Sequence, residues 1–471
     1  MVVDLLIERG TVVTPTGVAK TDVAIKDGRI MALGSKWAFP KAERAIDAQG
    51  KIVIPGGIDP HTHFEHQRTK IRPPENWDTA SIASAIGGTT TTIDFALQTK
   101  GKSLLDAVKA QLSRAKELSA IDYTTKAYPL LTEPSDFDQV LNGMEEVVDY
   151  GITSFKVSLI YRESGRYVND WQLYLILKRA KELGAMVTIH AENCFIGEEN
   201  QAKLIKAGKT DPKYHAFAKP NLAEELEIQK CMMLAEATEA WTYIVHVSTR
   251  RGPDIIASYG QKGLPVFCET CTHYLTLTDD VFEPKFPRGI LYVCSPPLRK
   301  QEDIEALWES IKHGRVHVVG SDHVAYTIKQ KEDSCTTFKD IPNGIAGCEV
   351  RVPIVFDEGV RRRGLSLERF VQVVSTNVAR IFGIYPQKGV IAPGSDADIV
   401  IIDPDKKHSL NAADLHMGTD LSPFEGMEVT GWPVVTILRG KVIVENDEFI
   451  GELGEGQFVK GKLDNSLVDA L

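Results

Sequence analysis

No run of this sequence approaches the ~20 apolar residues that a membrane-crossing helix requires, so no membrane span is expected. There is no block of lysine and arginine either. The 54 basic residues are outnumbered by 64 acidic ones, giving a net charge of −10. Nucleic acids and anionic membrane surfaces recruit clustered positive charge, so neither is expected as a partner. Cysteine is sparse: seven residues, scattered and odd in number, which argues against a disulfide framework. Cys268 and Cys271 have the C-x-x-C spacing, but no second such pair accompanies them, so burial near a strand end is preferred to a redox or structural-zinc role. The opening MVVDLLIERGTVVTP carries acids and an arginine within its apolar run. It lacks the basic start and small-residue cleavage site of a secretory signal, so cytoplasmic residence is the expectation. No internal repeat or low-complexity segment is visible.

What is present is a long chain of ordinary composition. Its 471 residues exceed one ordinary core and suit a barrel of roughly 250 residues plus a second module. The first 50 residues read as short strands: Asp4–Glu8, then Thr21–Ile25 and Arg29–Leu33 flanking the turn Lys26-Asp27-Gly28. Asp396–Ile402 is another strand, and Val434–Val444 forms two more around Arg439-Gly440. These β-rich ends predict one small β-sandwich assembled from residues 1–52 and 388–471, the latter including a C-terminal tail.

The middle, residues 53–387, alternates β-branched runs with helical periods. The strands are read at Ile52–Ile54, Thr89–Ile93, Tyr123–Ala127, Ser154–Val157, Met186–His190, Tyr243–Val247, Pro265–Glu269 and Val316–Gly320. Helical stretches such as Ser103–Leu118, Asp170–Leu183, Leu222–Ala237 and Glu302–His313 lie between them. That alternation predicts an α/β chain with a TIM-type (β/α)8 barrel. Catalytic groups of such barrels sit where the strands stop.

Chemically capable residues do fall there. Lys51-Ile-Val-Ile-Pro-Gly-Gly-Ile-Asp-Pro-His61-Thr-His63 ends in two imidazoles of the same strand face, able to reach one cation. His190 closes Met186–His190, His246 closes Tyr243–His246, and Asp322 follows His317-Val-Val-Gly-Ser. One histidine at a strand end is usually a hydrogen-bonded core group, and one Asp after a strand is usually a helix cap. Four histidines and an aspartate at the strand ends of one barrel mouth point instead to a divalent metal site. Lys156 lies inside an apolar strand, where an ammonium must be paired or neutralised. It is either an ion-pair partner of a carboxylate such as Asp322 or a neutral amine that has taken up CO₂.

The segments GGIDPHTHF, GITSFKVSLIYR, VTIHAEN, IVHVST, YVCSPPLR, GSDHV, IPNGIAG and KGVIAPGSDADIVI occur in this order. Together they resemble those of hydantoinases and dihydropyrimidinases over almost the whole chain. The resemblance implies two divalent metal ions per subunit, usually zinc. His61, His63 and Asp322 would hold one, His190 and His246 the other, and Lys156, carboxylated on Nζ by CO₂, would bridge them. It implies hydrolysis of the ring amide of a 5-substituted hydantoin or a dihydropyrimidine to an N-carbamoyl amino acid. A metal-bridging hydroxide would attack, with Asp322 as proton shuttle. Tyr161 would stabilise the oxyanion, and backbone groups at Ser295 and Asn343 would hold the ring. It also implies a homotetramer or homodimer.

Two places depart from the family pattern. A charged stretch, Arg68, Lys70 and Arg72, follows His63, and Ser158 stands two residues after Lys156 where an aromatic is common. They suggest a polar or acidic 5-substituent, with a solvated charged loop as the equal alternative. Allantoinases and dihydroorotases are the nearest rivals. Dihydroorotases place an arginine two residues after the second histidine, and here that position is Glu65. A non-catalytic dihydropyrimidinase-like scaffold would lack metal ligands, whereas every ligand position here is filled.

Overall fold

The protein was analysed as a computed structural model that describes residues 2–14, 17–65, 71–131, 134–283 and 288–466. Eight parallel strands run consecutively: Gly57–Asp59, Thr89–Leu97, Asp122–Tyr128, Ser154–Ser158, Met186–His190, Trp241–Ile244, Val266–Cys271 and Val318–Gly320. A parallel bridge between Thr62 and His323, just past the first and last strands, brings the two edges together as a barrel. Most of these strands are buried throughout, as expected when helices cover one face and barrel packing fills the other.

The helices between them follow from capping and periodicity. Helix Leu104–Leu118 begins at a capping box in which Ser103 and Asp106 satisfy each other's backbone N–H. Its buried Leu104, Val108, Leu112 and Ala115 form one stripe against the barrel. Each such leucine contributes roughly 1.5–3 kcal/mol by leaving water. Among the described residues, no helix is long and apolar enough to cross a membrane.

A nine-stranded mixed sheet is built from both ends of the chain. Its apolar cluster joins Val23, Ile25 and Ile30 from the beginning to Val435, Ile437 and Val442 from the end. Ile52–Ile54, read from the sequence as the opening barrel strand, belongs here instead. It pairs parallel with Thr11 and Val12 and antiparallel with Ile399–Ile402. The barrel's actual first strand, Gly57–Asp59, is three residues long and starts on glycine. Close packing requires that glycine: a Cβ at Gly57 would lie 2.7 Å from the Gly88 carbonyl. A strand signal built on β-branched runs therefore lands one segment too early.

The stretch 454–465 passes beneath the N-terminal ends of the barrel strands. Tyr123 and Gln457, Tyr123 and Val459, Gly151 and Gly461, and Gly383 and Lys462 are joined by backbone bonds of 2.9–3.0 Å. Trp241 Nε1 donates to Asn465 Oδ1 at 2.8 Å. The opposite, C-terminal ends of the strands carry the candidate site.

Candidate active site and metal centre

His61 and His63 leave the first barrel strand two residues apart and turn the same way. Their Nε2 atoms lie 3.0 and 3.1 Å from the same oxygen, Asp322 Oδ1. The ligand atoms of these three residues fall within 4.8 Å of one another. His190 and His246 form a second group, with His190 Nδ1 2.9 Å from His246 Nε2. The His61 and His246 ring centroids are 5.4 Å apart, so the two groups adjoin. Asp322 and His246 both have left-handed backbones, with φ of 47° and 43°. Non-glycine residues pay roughly 1–3 kcal/mol for that conformation, a cost characteristic of functional positions.

Lys156 stands on strand Ser154–Ser158 and is buried, with its Nζ 5.7 Å from the centre of the Phe95 ring. Its charge is close enough to disfavour protonation of both His190 and His246. Burial lowers the His190 pKa to about 4, with Glu192 opposing, and holds His246 well below the ordinary imidazole value. Burial pushes Asp322 the other way, but His61 and His63 pull it well below the usual carboxylate range. Neutral imidazoles and an ionised carboxylate are the protonation states that bind metal. Imidazole nitrogen with carboxylate oxygen is a donor set for a borderline divalent cation.

His61, His63, Lys156, Tyr161, His190, His246, Ser295, Asp322 and Asn343 all line one cavity of about 540 Å³. Tyr161 has φ 67° and packs its ring edge-on to His190, 5.4 Å between centroids. Ser295 is buried, and its hydroxyl donates to Glu192 Oε2 at 2.9 Å. Asn343 Nδ2 donates to the Ile341 carbonyl at 3.2 Å.

The sequence matches the amidohydrolase family over residues 52–443. A D-hydantoinase of Geobacillus stearothermophilus is 41% identical over 457 residues, covering 97% of this chain and 96% of that protein. Among solved structures, a D-hydantoinase from a Bacillus sp. AR9 superposes with a TM-score of 0.94 at 39% identity, covering 98% of this chain and 100% of that one. A dihydropyrimidinase from Brevibacillus agri NCHU1002 gives 0.93 at 39% identity, covering 98% and 99%. This chain belongs to the amidohydrolase family. Within it, the chain stands with the hydantoinases and dihydropyrimidinases. Amidohydrolases are metal-dependent, and His61, His63 and Asp322 form a group able to hold a cation.

Two features read as marks of substrate preference fall elsewhere. Ser158 is fully buried and hydrogen-bonded to the Tyr128 hydroxyl at 2.6 Å, and it does not line the cavity. Arg68 and Lys70 lie outside the described residues. Arg72 is exposed and is not part of the cavity wall, which Ile71 joins instead. Glu65, at the position where a dihydroorotase arginine would stand, accepts Arg114 Nη2 at 2.7 Å and lies outside the cavity wall.

The residues that sequence reasoning missed are the carboxylates behind the imidazoles. Glu269, on strand Val266–Cys271, lies behind His61, and Glu192 lies behind His190. Glu75 faces His323, whose Nδ1 accepts the backbone N–H of Gly347 at 3.0 Å. That bond places the His323 ring proton on Nε2, toward Glu75. In the sequence each of these acids is an ordinary charged residue, and the fold alone brings it against its histidine.

Proposed function

We propose that this chain hydrolyses the ring amide bond of cyclic ureides, 5-substituted hydantoins or dihydropyrimidines, giving N-carbamoyl amino acids. The observation that carries the reading is the convergence of four histidines, Asp322 and Lys156 on one cavity, in a chain 41% identical to a D-hydantoinase. The donor set suits two divalent cations per subunit, with zinc the natural choice for mixed imidazole and carboxylate ligands. His61, His63 and Asp322 would hold one and His190 and His246 the other, with Lys156, carboxylated on Nζ, between them. When bound, such a pair supplies an activated water at neutral pH and polarises the carbonyl under attack.

The chain's own residues do the rest. Asp322, ionised in its resting state, takes the proton of the attacking water on its carboxylate. It returns that proton to the ring nitrogen as the C–N bond breaks, so the nitrogen leaves neutral. Tyr161 donates a hydrogen bond from its hydroxyl to the carbonyl oxygen as negative charge develops there. Backbone groups of Ser295 and Asn343 hold the ring in the same cavity.

The assembly proposed is a homotetramer or homodimer. Trp171, Phe195, Phe217, Leu222 and Met233 are each more than half exposed on neighbouring helices, an apolar surface suited to a second copy. Residence in the cytoplasm fits the seven cysteines, all of them free thiols. The chain is proposed to divide into terminal sheet and barrel at Gly56, just past the strand Ile52–Pro55, and near residue 387.

The deciding experiment is ring opening of hydantoin and dihydrouracil by purified protein, with and without chelator, alongside metal quantification. About two metals per chain with chelator-sensitive turnover is the expected result. Two metals without turnover of either ring would move the substrate to another cyclic amide.

A further inference from the structure

One buried carboxylate touches both halves of the site. Glu192 lies two residues past His190, between strand Met186–His190 and helix Cys194–Lys206, and is 2% exposed. Its Oε2 is 3.0 Å from His190 Nε2 and accepts the Ser295 hydroxyl at 2.9 Å. Its Oε1 lies 3.1 Å from Lys219 Nζ, and the same ammonium donates to Ser295 Oγ. The segment that carries Ser295 is pinned along its length. The Cys294 carbonyl accepts His215 Nε2 at 2.7 Å, and the Val293 carbonyl accepts both Gly344 N–H and Lys331 Nζ at 3.0 Å.

An ionised carboxylate can only accept, so any proton between Glu192 and His190 belongs to Nε2. An imidazole protonated at Nε2 carries its lone pair on Nδ1. In His190 that atom faces His246 Nε2 across 2.9 Å. We propose that Glu192 is a positioning residue that couples one metal position to the ring-binding segment. It commits His190 to the tautomer whose Nδ1 can ligate, and it ties that imidazole through Ser295 Oγ to the backbone that holds the substrate ring. Lys219 sets a counter-charge against that carboxylate and shares its grip on Ser295. The inference rests on the reading of His190 as a ligand and of Ser295 as a ring contact.

One substitution should therefore move two properties that a purely local role would keep apart. The test compares the full chain with Glu192→Leu/Lys219→Met, Glu192→Gln and Ser295→Ala. Each is loaded with zinc and bicarbonate and then titrated with chelator. The double change avoids leaving an unpaired cation in the core. It should release about half of its zinc at chelator concentrations roughly 10–100-fold below those that strip the wild type, with KM rising in parallel. Glu192→Gln, which keeps an acceptor, should recover most of the zinc affinity. Ser295→Ala should raise KM with zinc retention unchanged. Wild-type zinc retention by the double variant overturns the inference. A wild type that holds two zinc ions and opens no ring sinks the activity reading, and the zinc titration still decides the role of Glu192. Should the wild type hold no zinc, the ring ¹⁵N shifts of His190 in the metal-free chain decide. An Nε2–H form in the wild type and a mixture in the double variant is expected, and one tautomer in both overturns the proposal.

Discussion

Glu269 Oε1 lies 2.6 Å from His61 Nδ1, inside the barrel and away from solvent. The same oxygen accepts the backbone N–H of His246 at 3.0 Å, and its sister oxygen accepts the Tyr243 hydroxyl at 2.7 Å. One carboxylate thus fixes the ring of one candidate ligand and the main chain of another. His61 and Lys126 hold Glu269 ionised against the effect of its burial.

Glu269→Leu leaves the His61 ring nitrogen, the His246 N–H and the Tyr243 hydroxyl without their acceptor. Zinc affinity should fall about 10–100-fold, and stability by about 1–3 kcal/mol for each unsatisfied donor. Equilibrium dialysis against zinc and a urea unfolding curve read the two losses. Unchanged zinc affinity would show that His61 needs no carboxylate behind it.

Asp322→Asn removes a ligand and the proposed proton carrier together. We expect kcat to fall by about 10²–10⁴-fold, with zinc content reduced. Measuring kcat with excess zinc separates the two effects. Full turnover in the zinc-saturated variant would assign the proton transfer to another group.

Lys156→Ala should abolish ring opening and lower bound zinc toward one ion per chain. In the wild type, metal-stripped protein should regain activity with zinc plus bicarbonate, and regain less with zinc in CO₂-depleted buffer. Mass spectrometry of the intact chain under mild conditions should add the mass of CO₂ at Lys156. Equal recovery with and without bicarbonate would leave Lys156 as an amine.

Lys331 gives a prediction about stability. It is fully buried, and its Nζ donates to the Val293 carbonyl. Burial lowers its pKa to about 7 in the folded chain. Between pH 7 and the ordinary lysine value of ~10.4, the unfolded chain holds a proton that the folded chain does not. Stability from this group therefore rises with pH across that window, by about 1.4 kcal/mol per unit, and its full penalty is present below it. Lys331→Met should flatten the rise in urea midpoint from pH 7 to 10. An identical pH profile in the variant would place the titration elsewhere.

How far the sequence speaks depends on what kind of signal a residue leaves. Seven of the eight barrel strands overlap the β-branched runs read from the sequence, because burial on both faces writes itself as an apolar run. Gly57–Asp59 leaves no such run and was displaced onto Ile52–Ile54. The ligand candidates were legible because imidazoles at strand ends are uncommon and recur here. Glu192, Glu269 and Lys219 were not. A charged residue in a sequence looks solvated until the fold removes its water, and only the structure shows Glu192 paired with Lys219, and Glu192 and Glu269 set against histidines. Ser158 misled for the complementary reason: its hydroxyl is spent on Tyr128.

The strap at 454–465 also orders events in time. Every strand end it crosses leaves the ribosome before it does, and Ile52–Pro55 likewise waits for its partner Ile399–Ile402 until the whole barrel has emerged. A nascent chain thus carries a barrel with an open floor and an unpaired strand edge through most of its synthesis. Stop codons or proteolysis within the final segment would strand it in that state. Such products should be captured by chaperones or aggregate rather than survive as shortened enzymes.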